Sequence, residues 1–237
     1  MGKIEIYIAA PFGNYLKFKD FTSVTGTFTL NHRTGRLIQI VRTLRYSFSD
    51  ECWYNALGLR NPGILSGIKS HKNDEVMSIA AIESRDWKHL YSIIPDDIPI
   101  ELNISCPNID HFSDYVKNID LYVPRNPIVK LSPHMKLKDI DELYDMGFRR
   151  FHSCNTFKTE KGARSGKFLK PYVNHQICYL KSKDANNYCI AGGGIENEDD
   201  ILHYHKAGAD AYSLGTVCFN PFKLLSLKKT LDNTFLY

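Results

Sequence analysis

The sequence predicts a (β/α)8 TIM barrel with truncated first units. From residue 99 onward, short apolar runs alternate with amphipathic stretches in five consecutive strand–helix units. Alternation of this kind implies a parallel sheet. The N-terminal third adds three more strand candidates, which brings the series to the eight that close a barrel. The length of 237 residues is close to the ~250 of one such barrel. We therefore expect one domain over residues 1–237, with an open doubly wound sheet as the alternative.

The early strand candidates are "EIYIAA" (5–10), "FTSVTGTFTL" (21–30) and "VMSIAAIE" (76–83). The segment 11–20 is too short for a full helix, and "RLIQIVRTL" (36–44) reads as a candidate extra strand. "SRDWKHLYSII" (84–94) is helical, with Trp87, Leu90, Tyr91 and Ile94 on one face. "PIELNIS" (99–105) is a buried strand, and "HFSDYVKNI" (111–119) follows with Phe112, Tyr115, Val116 and Ile119 aligned. "PIVKLSP" (127–133) is a strand. "KLKDIDELYDMG" (136–147) is a helix that Gly147 is placed to end. "FRRFHSCN" (148–155) is a strand and "VNHQICYLKSKDAN" (173–186) a helix. "YCIAGGG" (188–194) is a strand, and "NEDDILHYHKAG" (197–208) is a helix capped by Asn197 with acids in its first turn. "AYSLGTV" (211–217) is the last strand. "NPFKLLSLKKTL" (220–231) closes the series, with Asn220 as N-cap and Pro221 at the first helical position.

Composition excludes several function classes. The net charge of +4 is spread along the chain. No basic block of the nucleic-acid kind appears. The six cysteines (52, 106, 154, 178, 189 and 218) have neither C-x-x-C spacing nor paired histidines, so no metal site is expected. Their scatter suggests a reducing, cytoplasmic setting, and the five besides Cys106 read as small buried hydrophobes. The start "MGKIEIYIAAPFG" has no signal-peptide pattern. No run approaches the ~18 apolar residues of a membrane span.

In such barrels the chemistry sits at the C-terminal ends of the strands. Here those ends carry Asn103, Cys106 and Asn108; Lys130; Asn155 and Thr156; Gly192, Gly193 and Gly194; and Gly215 and Thr216. Core packing does not require such a set. "AGGGI" and "LGTV" each precede a helix start, where glycine backbone N–H groups bind phosphate; the alternative is a tight turn. Lys130 lies on an apolar strand, opposite in phase to Val129, facing either the lumen or the helices. It reads as a charge under a cofactor, a Schiff-base amine or a paired structural lysine. Cys106, followed by Pro107 and flanked by Asn103 and Asn108, sits on a turn and is a competent base or nucleophile if its pKa is lowered.

"ELNISCPN", "IVKLSP", "NT", "SGKFLKP", "AGGGI" and "LGT" occur in the order seen in dihydroorotate dehydrogenases, and "NALGLRNPG" (55–63) resembles that family's upstream segment. The resemblance covers most of the chain and points to the soluble, class 1 branch. It implies FMN at the top of the barrel, with its phosphate held by Gly193, Gly194, Gly215 and Thr216 and with Ala10, Ser165 and Gly166 nearby. Lys130 would lie beside the flavin's pyrimidine edge. Asn55, Asn103, Asn108, Asn155 and Thr156 would bind a dihydropyrimidine ring, and the backbone at Leu57, Gly58 and Leu59 would receive its carboxylate. Cys106 would take a proton from C5 while C6 gives hydride to flavin. A homodimer is implied as well.

Two positions depart from that pattern. Gly26, in "TSVTGTFTL", stands where the family carries a lysine that contacts flavin and substrate; Lys17, Lys19 and Arg164 are the candidates to replace its charge. After "SCPN" the chain reads "IDHFSDYVKN", already helical, where the family has a covering loop. Dihydroorotate oxidation leads. An FMN oxidoreductase for another dihydropyrimidine-like or unsaturated ring, a non-catalytic flavin-binding relic and a Schiff-base lyase on Lys130 stay open. Fumarate, a nicotinamide-linked partner subunit and oxygen are all open as electron acceptors.

Overall fold

The computed structural model describes residues 4–104 and 112–235. In chain order it contains β1 (Glu5–Ile8), β2 (Thr22–Phe28), α1 (Arg36–Thr43), β3 (Arg45–Ser47), β4 (Cys52–Asn55), α2 (Ile64–Ser70), β5 (Glu75–Ile79) and α3 (Ser84–Ile93). Then come β6 (Ile100–Asn103), α4 (Phe112–Tyr115), β7 (Ile128–Lys130), α5 (Leu137–Asp145), β8 (Arg150–Ser153), β9 (Phe157–Thr159) and β10 (Gly162–Ser165). The chain ends with α6 (Lys170–Lys183), β11 (Tyr188–Gly192), α7 (Glu198–Lys206), β12 (Ala211–Leu214) and α8 (Pro221–Phe235). Strands β1, β2, β5, β6, β7, β8, β11 and β12 close into a parallel barrel, β1 pairing with both β2 and β12. The expected barrel is the observed one.

Alternation along each strand divides the core in two. One set of alternate residues, including Ile8, Met77, Leu102, Val129, Phe151 and Leu214, faces the helices and merges into the large outer core. Their neighbours face the lumen, where Tyr7, Val24, Val76, Ile128, Ile190 and Ala211 form a separate apolar layer. The next inward position on β5, β6, β7, β8 and β12 is polar: Ser78, Glu101, Lys130, His152 and Ser213, all buried. Lys130 therefore faces the lumen. The barrel is thus apolar through its middle and polar toward the C-terminal ends of its strands.

The caps follow the sequence. Asn197 accepts a hydrogen bond from the Asp200 amide at 3.1 Å, and Asn220 from the Lys223 amide at 3.1 Å. The candidate extra strand over 36–44 is instead the helix α1. Its apolar residues Leu37, Ile38 and Val41 recur at helical spacing, yet they face solvent and none of the helix is buried. The expected helix over 111–119 is shorter, α4 giving way to a 3-10 segment over Ile119–Arg125. Cys178 is exposed, against the expectation of a buried hydrophobe. Among the described residues no helix is long and apolar enough to cross a membrane.

One unit was not expected. Strands β3, β4, β10 and β9 form an antiparallel sheet from the segments that follow β2 and β8. Both segments leave C-terminal barrel ends, so the sheet lies on the mouth side. Trp53 of β4 stacks on Phe219 at 4.4 Å, and Phe219 meets Phe12 edge-on at 4.8 Å, which ties the sheet to the loops after β12 and β1.

Trp87 of α3 is fully buried and donates its indole N–H to the Tyr115 carbonyl at 3.1 Å. Trp87→Ala is expected to cost about 3–5 kcal/mol in urea unfolding. Val41→Ala, on the 85% exposed face of α1, should stay within about 0.5 kcal/mol. Equal effects at the two positions would contradict the assignment of core and surface.

Candidate active site at the barrel mouth

The polar end of the lumen is organised around Glu101. Its carboxylate is buried between three partners. His152 Nδ1 lies 2.7 Å from Oε2, Ser78 Oγ donates to Oε1 at 2.8 Å, and Lys130 Nζ stands 3.8 Å from Oε1. Burial on its own raises a carboxyl pKa; here Lys130, His152 and Ser78 outweigh it and hold Glu101 down at about 2. His152 moves below its ordinary 6.5, first through burial and then through Lys130, with Glu101 offsetting part of the effect. It is accordingly a neutral imidazole. A carboxylate can only accept, so Nδ1 carries the proton and donates it to Glu101. Gly192 exists to admit this ring: a Cβ there would stand 2.4 Å from His152 Nε2.

Toward the mouth, Asn103 and Asn155 meet side by side, Asn155 Nδ2 donating to Asn103 Oδ1 at 3.3 Å. Asn155 Oδ1 accepts from the Thr156 amide at 2.8 Å. Asn103 and Asn155 are thus in contact with Thr156 beside them, and Lys130 lies opposite Asn103 in the strand register. Cys106 and Asn108 lie outside the described residues. Asn55 ends β4 in the antiparallel sheet, and its side chain accepts from the Leu57 amide at 3.4 Å. Gly58 beside it has φ +58° and open space around it, and Leu59 is half-buried. Ser165, on the same sheet, is buried and donates to the Trp53 carbonyl at 3.3 Å. Cys154, close enough for Lys130 to act on it, has its thiol pushed up to about 12 by burial, which Lys130 only partly opposes. It remains a protonated thiol.

The glycine loops converge beside the mouth. Gly193 and Gly194 hold φ of +128° and +73°, and a Cβ on Gly194 would stand 2.8 Å from Lys167 Cα and 3.1 Å from the Gly166 carbonyl. Tyr204 of α7 pins the loop by donating to the Gly193 carbonyl at 2.6 Å. Gly166 and Thr216 line one cleft with Glu196 and Lys223. Glu196 lies 2.8 Å from Lys223 Nζ and 3.8 Å from Lys167 Nζ. A Cβ on Gly215 would meet only Ala9, at 3.8 Å, which leaves open space where β1 ends, next to Ala10. This cradle of glycine backbone with lysines at its edge suits a phosphate. Gly215 leaves open space beside Ala9, and Ser213 Oγ is buried without a partner among the described residues. The residues present fit FMN.

Gly26 is built into the strand rather than merely lacking a side chain. Asn14 brackets it, donating to its carbonyl at 3.0 Å and accepting from its amide at 3.0 Å. Its φ is +99°, and a Cβ would lie 2.4 Å from the Ser78 carbonyl. The replacements suggested by sequence do not reach the site. Lys17 pairs with Glu75 at 2.5 Å, at the N-terminal start of β5 and the opposite end of the barrel. Arg164 covers the Phe168 ring at 4.0 Å. Lys19 is exposed. Lys130 is the buried lysine among the described residues.

Sequence reasoning passed over Glu101, His152, Ser78 and Thr27. The signal for the first two was present: charged or titratable residues in phase with Lys130 on adjacent strands, "PIELNIS" and "FRRFHSCN".

No protein-family model matches the chain. The chain is 30% identical over 224 residues to the dihydroorotate dehydrogenase B (NAD(+)) catalytic subunit of Listeria monocytogenes, covering 75% of this chain and 72% of that protein. It is 27% identical over 217 residues to the protein of the same name from Bacteroides thetaiotaomicron, covering 76% and 71%. Among solved structures, the Eimeria tenella dihydroorotate dehydrogenase in complex with ferulenol superimposes with a TM-score of 0.75 at 17% identity, over 96% of this chain and 80% of that one. That likeness bears on the fold.

Two outcomes follow from this geometry. Gly26→Ala and Gly26→Lys should both destabilise the protein by about 2 kcal/mol or more in thermal or urea unfolding; a stable Gly26→Lys protein would contradict the backbone conformation described. His152, depressed in the fold, binds fewer protons there than in the unfolded chain below about pH 6.5. Stability contributed by its neutral form is full above that pH and falls as pH falls through the folded value. His152→Gln should therefore flatten the decline in unfolding free energy between pH 7.5 and 5. An unchanged slope would mean that His152 titrates as an exposed imidazole.

Proposed function

Because this chain belongs to the dihydroorotate dehydrogenase family, we propose that it is an FMN-dependent oxidoreductase that oxidises dihydroorotate to orotate. The observation that carries this reading is the buried Lys130 beside the Asn103–Asn155 pair at the end of the lumen. A cation and two amides held together at the mouth, beside a glycine cradle, match a flavin and a ring rich in N–H and C=O groups.

FMN, when bound, supplies the acceptor for the hydride that leaves C6 of the ring. Gly193, Gly194, Gly215 and Thr216 hold its phosphate, with Ala10, Ser165 and Gly166 adjoining. Lys130 places a positive charge beside the reducible ring system, where negative charge develops. Asn103, Asn155 and Thr156, with Asn55 and Asn108, bind the substrate ring, and the Leu57–Gly58–Leu59 backbone receives its carboxylate. Cys106 takes the C5 proton. The two amides hold the ring in register for both transfers.

Gly26 favours a second reading, an oxidoreductase of the same cofactor acting on a related unsaturated ring. Anaerobic addition of dihydroorotate to the FMN-loaded protein separates the two. Bleaching of the flavin absorbance supports the first reading, and Cys106→Ala or Lys130→Ala should then slow it by about a hundredfold or more. A flavin that stays oxidised moves the assignment to the second reading. A protein that FMN cannot reconstitute overturns both, and borohydride trapping on Lys130 would then point to a Schiff-base lyase.

A further inference from the structure

A chain of hydrogen bonds runs from Glu101 to the mouth, and the chemistry of its members gives it one direction. Glu101 is an acceptor, so Ser78 Oγ spends its single proton on Oε1 at 2.8 Å. Ser78 can then only accept from Thr27 Oγ1, 3.0 Å away. Thr27, its own proton committed, accepts from Asn103 Nδ2 at 3.1 Å. Asn103 Oδ1 is thereby turned toward Asn155, whose Nδ2 donates to it at 3.3 Å. Asn155 Oδ1 in turn receives the Thr156 amide at 2.8 Å. Each donor points back toward the carboxylate. His152 holds the other carboxylate oxygen from the far side of the lumen at 2.7 Å.

We propose that Thr27, together with Ser78 and the buried Glu101, is a positioning residue that sets which way the Asn103 and Asn155 amides face the ring-binding site. An asparagine presents a carbonyl or an amino group depending on a half-turn of one torsion, and the two ends differ little in shape. The Thr156 amide orients the pair from the Asn155 end and the Thr27 hydroxyl from the Asn103 end; loss of the Thr27 acceptor weakens that preference, and a ligand would then restore it at a cost in affinity. Glu101 anchors the lower end with a charge that can only accept, so that Ser78 and Thr27 each donate downward. Thr27 is the link nearest the mouth, and it follows directly on Gly26, where the family's lysine is missing. The proposal rests on the ring-binding reading of Asn103 and Asn155 given above.

Thr27→Val keeps the shape of the side chain and removes the oxygen; Thr27→Ser keeps the oxygen. In FMN-free protein labelled with 15N-asparagine, Thr27→Val should shift the Asn103 side-chain amide signal and quicken its solvent exchange, with Asn103→Ala identifying the signal. In the FMN-loaded protein, the affinity for orotate, read by perturbation of the flavin spectrum, should fall about tenfold, while FMN affinity changes less than about twofold. Thr27→Ser should restore both signal and affinity. An Asn103 signal unmoved in Thr27→Val, or orotate bound as tightly as by the parent, overturns the proposal. A parent protein that binds no orotate, but whose Asn103 signal moves in Thr27→Val, keeps the orienting chain and sinks the dihydropyrimidine reading instead.

Discussion

The site depends on one buried carboxylate. Glu101 is removed from water inside a parallel barrel, just beyond its apolar middle layer, an environment that would ordinarily neutralise it. It stays ionised because three strands bring it a cation, an imidazole N–H and a hydroxyl at once. That arrangement has consequences in three directions. It keeps a compensating positive charge at Lys130 under the mouth. It fixes the tautomer of His152, which in turn demands glycine at position 192. It also gives polarity to the hydrogen bonds that lead up to Asn103. Breaking a buried set of this kind by removing one member is costlier than never having built it, because the remaining charge has no solvent to fall back on.

The same constraint bears on Gly26, where the sequence resemblance implies a lysine. A second lysine at position 26 would stand in the lumen beside Ser78, on the strand next to β5. The backbone there holds a left-handed conformation that favours glycine, with Asn14 bonded to both the amide and the carbonyl of Gly26 and the strand register shifting between Gly26 and Phe28. The charge is not supplied from elsewhere in the described residues: Lys17 serves the opposite end of the barrel and Arg164 packs on an aromatic ring. What remains is a lumen with a single buried lysine among the described residues, balanced by Glu101 and followed toward the mouth by amides and hydroxyls.

Much of this was legible beforehand, and the reasons are physical. Strand–helix alternation produces two periodicities that cannot be confused over ten or more residues, so the barrel strands and helices α3, α5, α6, α7 and α8 followed from pattern. Lys130 was conspicuous because an ammonium on an apolar strand needs an explanation. The antiparallel sheet was not legible: "RYS", "CWYN", "FKT" and "GARS" are three or four residues each, too short for alternation to register, and their pairing links segments more than a hundred residues apart. Helix α1 misled because its apolar face is turned to solvent, where burial gives no guide. Glu101 and His152 were passed over because each, read on its own strand, looks like an isolated polar intrusion. Only the register between β6, β7 and β8 makes them a group.

The most direct test of this account is the ionisation state of Glu101 and His152 in the folded protein. A 13C and 15N NMR titration with selectively labelled glutamate and histidine reads both. The account predicts a Glu101 carboxyl carbon that stays at its ionised shift down to pH 4, below the range where an ordinary glutamate begins to protonate. It predicts a His152 ring that is neutral at pH 7 with its proton on Nδ1. A Glu101 that takes up a proton near neutral pH, or a His152 that is an imidazolium there, would contradict it: the lumen would then hold a different charge balance, and the orientation of the Asn103 and Asn155 amides would have to come from another source.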